Sequence, residues 1–147
     1  MTTSIDIANR ALILLGGREI TSFIENTNEA RIAKSLYQST RDYVLRSYPW
    51  AALKKRIELP ELAEQPVNGF KHQYQLPSDC LRVLEVHSAS KINSDRWEVN
   101  GRQVLTDDKP VSIVYLSDDV PEQEYSTQLV QALVYRLSSE MAYPMTG

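Results

Sequence analysis

Apolar residues recur at steps of three and four across residues 26–50, N-T-N-E-A-R-I-A-K-S-L-Y-Q-S-T-R-D-Y-V-L-R-S-Y-P-W, which predicts one long two-sided helix. Ala30, Ala33, Leu36, Tyr37, Thr40, Tyr43, Val44 and Ser47 share a face, and Arg31, Lys34, Gln38, Arg41 and Asp42 lie mostly opposite. Asn26 fits an N-cap, with Glu29 reaching back to complete a capping box. Pro49 disfavours helical geometry at Tyr48, so the helix is expected to stop at Ser47 or Tyr48 with the Tyr48 and Trp50 rings at its exit. The Y-P-W corner reads as a packed junction between two parts of the fold.

Two further helices flank the rest. Thr3 or Ser4 opens the first, with Ile5, Ala8, Leu12 and Leu15 as its stripe and Gly16-Gly17 as its left-handed stop. Ile20, Phe23 and Ile24 are expected to tuck between it and the long helix in an antiparallel helical hairpin. Asp118, Asp119 and Pro121 signal the start of the last helix, whose face is Leu129, Ala132, Leu133, Leu137 and Met141 and which should end before Pro144.

Between these the period changes to two. Leu53, Ile57 and Leu59 bracket a short strand, Phe70 to Leu76 alternates, and residues 81–86 and 111–116 read as strands, with polar loops up to Gly69 and over residues 88–96. W-E-V-N-G-R-Q-V-L predicts a hairpin with Asn100-Gly101 at its tip, both residues at positive φ as a type I′ turn requires. The plan is α+β: an antiparallel helical framework (helices about 4–16, 27–48 and 122–142) carrying an antiparallel β element of about five strands over residues 55–116. The expected organisation is a single domain, 1–147, with a helical part at 1–52 and 118–147 and a β insertion at 53–117.

Composition narrows the function classes. A chain of 147 residues with 42% hydrophobic and 24% charged positions is ordinary for a globular domain, which sets aside disordered and fibrous classes. One cysteine, Cys80, removes any intramolecular disulfide framework and fits synthesis in a cytosol. No apolar run approaches the roughly 20 residues of a membrane span, and the stretch at residues 11–15 is too short for a signal peptide, so no membrane partner is expected. A net charge of −3 argues against an autonomous nucleic-acid binder.

Candidate chemistry is sparse. There is no phosphate loop, nucleophile elbow or metal-spaced His/Cys cluster, so neither cofactor nor metal is expected. Cys80, with His72 and His87 in sequence range, is the candidate thiol against a buried apolar role. Asp107-Asp108 and Asp118-Asp119 are candidate carboxylate pairs against turn and N-cap duty. Lys54-Lys55-Arg56 is the one basic cluster, able to meet phosphate or an acidic partner, or to guard a sheet edge. Tyr48 and Trp50, with Tyr43, are the aromatic interface candidates. A small enzyme using Cys80 or a carboxylate pair, and a DNA-binding module using Lys54, Lys55 and Arg56, are the two readings these residues allow.

Five stretches taken in order, A-N-R-A-L-I-L-L-G-G followed by I-T-S, R-D-Y-V-L-R-S-Y-P-W, F-K-H-Q-Y-Q-L-P-S-D-C-L-R-V-L, W-E-V-N-G-R-Q-V-L-T-D and L-V-Y-R-L-S-S-E-M-A-Y-P-M-T-G, give a chain-long resemblance. The chain resembles the tail tubular protein A, or head-to-tail adaptor, family of short-tailed phages and prophages. The resemblance implies a non-enzymatic virion protein of the neck, made in the bacterial cytoplasm, with a helical bundle and a β insertion. Its partners would be the portal protein, the tail nozzle protein, copies of itself in a ring of twelve, and DNA passing through without specific binding. Family members usually continue beyond the residues matching 142–147 with another long helix and a tail. This sequence stops there, as a short member or a truncated form. A ring of twelve at −3 each carries about −36, and an acidic channel lets a phosphate backbone slide.

Overall fold

Thr3 caps the first helix, α1 (Ser4–Leu14): its hydroxyl accepts from the Asp6 N–H at 3.2 Å and the Asp6 carboxylate accepts from the Thr3 N–H at 2.9 Å. The far end is a Schellman turn, in which Gly17 N–H donates to Leu12 O and Gly16 N–H to Ile13 O, with Gly16 at φ 73°. The computed structural model describes residues 2–66, 69–89 and 96–146. Residues 67–68 and 90–95, which hold most of the polar loop expected over 88–96 and part of the one before Gly69, lie outside the described residues.

The element order is α1, α2 (Asn28–Ser47), β1 (Lys54–Glu58), β2 (His72–Gln75), β3 (Cys80–Ser88), β4 (Trp97–Asn100), β5 (Gln103–Thr106), β6 (Val111–Ser117) and α3 (Thr127–Thr146). The chain is α+β and divides into two units, a helical one formed by Met1–Ala52 with Val120–Gly147 and a β one formed by Leu53–Asp119.

In the helical unit α3 packs against both α1 and α2, which barely meet each other, so the first two helices do not form the expected hairpin. The connection is pinned instead by Asn9, whose amide pairs with both backbone groups of Ile20 at 2.7 and 2.9 Å. Ile20 is buried, whereas Ile24 is 83% exposed and so does not tuck in as expected. Thr27, not Asn26, caps α2 by accepting from the Ala30 N–H. Glu25 draws the Thr21 and Thr27 hydroxyls together, and Asn26 turns outward to Arg31.

The buried stripe of α2 is Ala30, Ala33, Tyr37, Thr40, Arg41, Val44 and Leu45. It is rotated from the expected face: Arg41 goes in and Tyr43 stays out, 56% exposed with the Arg136 guanidinium 4.4 Å from its ring centre. The last helix begins later than expected, because Ser126 provides the cap by accepting from Leu129 N–H. Asp118, Asp119 and Pro121 precede a separate 3-10 turn at Glu122–Glu124. The helix also runs past Pro144, which lies in the final turn where its missing N–H forfeits one bond.

The β unit holds two antiparallel three-stranded sheets, ordered β1-β6-β3 and β2-β5-β4. The central strand β6, V-S-I-V-Y-L-S, is rich in β-branched and aromatic residues and almost wholly buried. Val86, Ile113 and Tyr115 from one sheet meet Tyr74 and Val104 from the other in a shared core with Leu76, Leu59 and Val111. The β4–β5 hairpin exists, but its tip is displaced by one residue. Asn100 pairs with Gln103 inside the ladder, and Gly101-Arg102 forms the two-residue turn with only Gly101 at positive φ, 65°. A glycine at the first central position alone is the type II′ pattern, not type I′.

Candidate functional site

Pro49 forces Tyr48 into an extended backbone, φ −150° and ψ 147°, and ends α2 at Ser47. The helix end leaves carbonyls without partners, and Val44 O receives both the Ser47 hydroxyl at 2.7 Å and the Trp50 indole N–H at 2.9 Å. The Tyr48 and Trp50 rings lie 4.9 Å apart and tilted. With Ala51, Ser126 and Gln128 they line an open cavity of about 440 Å³. Trp50 is only half-buried and Tyr48 is 58% exposed.

The run Lys54-Lys55-Arg56 does not form one basic patch, because the alternation of β1 sends neighbours to opposite faces. Lys55 and Ile57 pair with Tyr115 and Ile113 on the core side, where Lys55 Nζ lies 3.9 Å from Asp79 and 3.5 Å from the Asp119 carbonyl. Lys54 and Arg56 pair with Leu116 and Val114 on the other face, which also carries Arg82 and Glu85 from β3. All five β1 residues are exposed.

Asp79 is the polar centre that the sequence reading missed. Its carboxylate accepts from Ser117 Oγ at 2.6 Å and from Tyr115 Oη at 3.1 Å. Burial pushes this carboxyl up, but the two hydroxyls, its own backbone N–H and the Lys55 ammonium outweigh burial and hold it below its ordinary value. In sequence Asp79 is one turn residue of Pro-Ser-Asp; its two hydroxyl partners lie more than thirty residues on and Lys55 lies well before it, so no local pattern reveals them.

The candidate catalytic groups do not converge. Cys80 is 4% exposed within the shared core. His72 Nδ1 sits 2.6 Å from Glu61, which also holds Lys109 at 3.2 Å, and Lys109 with His72 keeps the Glu61 carboxyl below its ordinary value. His87 Nε2 lies 3.6 Å from Glu85, too far for a hydrogen bond. Asp107 binds Arg96 at 2.7 Å and the Lys71 N–H at 2.9 Å. The Asp119 N–H donates to Ser117 Oγ, and the Asp118 N–H to the Asp79 carbonyl. The first is a turn contact, and the second extends the pairing of β3 with β6. Among the described residues no group of three or more His, Cys, Asp or Glu side chains is placed to hold a metal.

In the helical unit, Glu122 accepts from Tyr37 Oη at 3.2 Å and lies 3.9 Å from Arg41 Nε. With Ser4, Phe23, Lys34 and Gln38 these residues line an open groove of about 570 Å³. Burial, followed by the Glu122 charge, pushes the Tyr37 phenol well above its ordinary value. Among the described residues no helix is long and apolar enough to cross a membrane. No protein-family model matches the chain, and no curated protein sequence matches it.

Proposed function

We propose that the chain is a structural subunit of a phage head-to-tail adaptor, a ring component that sits between a portal and a tail nozzle and lengthens the DNA channel. The observation that carries this reading is the division of the chain. Both ends build one helical unit while residues Leu53–Asp119 build a separate β unit, the plan that the ordered resemblance implies. The net charge of −3 per copy supports a conduit whose wall repels the phosphate backbone. The two rival readings have less support: the thiol of Cys80 is buried, and the basic run is divided between two faces of a sheet.

Assembly in this reading depends on a template. Like net charges oppose approach, and each joint must offset several kcal/mol of lost rigid-body freedom. A docked subunit lets its neighbour hold portal and subunit together, which raises the effective concentration. The test is electron microscopy of the chain mixed with portal rings, where an added ring of density beneath the portal is expected. A portal that stays bare at saturating chain overturns the reading. Native mass spectrometry of the chain alone should show monomers or weak oligomers, and a predominant twelve-subunit species without portal would sink the template account.

A further inference from the structure

The two sheets of the β unit have four edges, and they are not alike. The β2 edge is covered: Leu62 N–H donates to Gln73 O, Gln75 N–H donates to Pro60 O, and Glu61 bridges to Tyr74. The β3 strand is bulged at two points, which spoils its regularity as a template. The other two edges are regular, and nothing among the described residues covers them. β1 is exposed at all five positions, β4 is exposed at Glu98, Val99 and Asn100, and among the described residues neither strand makes a backbone hydrogen bond outside its own sheet.

Their chemistry is complementary. β1 presents Lys54, Arg56 and Glu58 on one face, and the 41% exposed Ile57 with Lys55, which is engaged by Asp79, on the other. β4 presents Glu98 on one face, with Trp97 and the 42% exposed Val99 on the other. Neither Arg56 nor Glu98 has an ion pair among the described residues. We propose that β1 of one copy adds edge to edge onto β4 of a second copy, with Arg56 facing Glu98 on one side of the joined sheet and Ile57 covering Trp97 or Val99 on the other. The inference rests on the reading that copies of this chain stand side by side.

Such a contact is heterologous, because each copy uses two different edges, and it therefore propagates around a ring instead of closing a pair. The basic run also disfavours a parallel, in-register meeting of β1 with a second β1, where Lys54, Lys55 and Arg56 would face their own copies. Four residue pairs span only about 13 Å and bury far less than the roughly 800 Å² per partner of a stable complex, so the joint is weak without a template.

Sedimentation velocity at low salt over rising concentration tests it, using the full chain, the Arg56→Glu variant, the Glu98→Lys variant and their equimolar mixture. Each variant alone brings like charges together at the joint and should associate about tenfold more weakly than the parent. In the mixture the reversed β1 edge of one variant meets the reversed β4 edge of the other, and association should return to within about twofold of the parent. Thermal melts check that both surface variants remain folded. A parent that stays monomeric at every concentration, or a mixture no stronger than its components, overturns the edge contact. A monomeric parent that still rings a portal overturns this contact and leaves the adaptor reading standing. Loss in each variant with recovery in the mixture supports the contact even where no portal is bound.

Discussion

Asp79 and Ser117 lie 2.6 Å apart, carboxylate to hydroxyl, beside the point where β3 and β6 begin to pair. Replacing Asp79 by Ala leaves Ser117, which is fully buried, and Tyr115 without their acceptor, and should destabilise the chain by about 1–3 kcal/mol in urea melts. The same carboxyl sets an acid limit. Its folded value lies below its ordinary 3.8, so it stabilises the fold above that pH and loses its contribution as the pH falls through the lower folded value. Urea melts from neutral pH to below pH ~3 should show a steeper loss in the parent than in Asp79→Asn.

At the alkaline end the tyrosines decide. Burial raises Tyr74 and Tyr115 to about 12, and raises Tyr37 further. Groups raised in the folded state stabilise it below the ordinary value of 10.0 and lose that contribution as the pH climbs toward the folded value. Ultraviolet titration should show a late-ionising class that becomes smaller in Tyr37→Phe. If all eight phenols ionise together near the ordinary value in a chain still folded by circular dichroism, the burial account fails.

The hairpin tip separates two turn types. Only Gly101 is at positive φ, so Gly101→Val should cost about 1–2 kcal/mol, whereas Asn100→Ala, inside the ladder, should stay within about 0.5 kcal/mol. Equal penalties at the two positions in denaturant melts would restore the type I′ assignment.

Trp50 is half-buried and donates one hydrogen bond to Val44 O. Trp50→Ala should therefore cost about 1–2 kcal/mol, less than the roughly 3–5 kcal/mol of a fully buried indole. Trp50→Phe should lose about 1 kcal/mol through the missing N–H. Chemical denaturation with the helical signal as readout checks both values.

The features legible in the sequence were those with a local cause. The capping at Thr3, the glycine stop at Gly16, the break before Pro49 and the short strand around Tyr74 each depend on residues a few positions apart, although burial of Gln73 breaks the expected alternation of that strand. The features that were not legible depend on distant partners. Arg41 is buried because Glu122, eighty-one residues on, receives it, and a period-based reading places any arginine outside. Thr27 displaces Asn26 as a cap because Glu25 gathers the neighbouring hydroxyls, a competition among several good candidates that propensity does not rank. The basic run was visible, but whether its members act together depends on strand alternation against β6, and alternation divides them.

The first and last strands of the β unit are paired with each other: Lys54 stands opposite Leu116, and Lys55 reaches the Asp119 carbonyl. Residues 54–117 therefore begin and end within about 5 Å, one strand spacing. A segment whose two ends nearly touch is a cassette. Its chain enters and leaves at one place, the arrangement in which insertion of one folded unit into another is tolerated. Two connections lying side by side confine the demands that the β unit makes on the rest of the sequence to the few residues around Leu53 and Asp119.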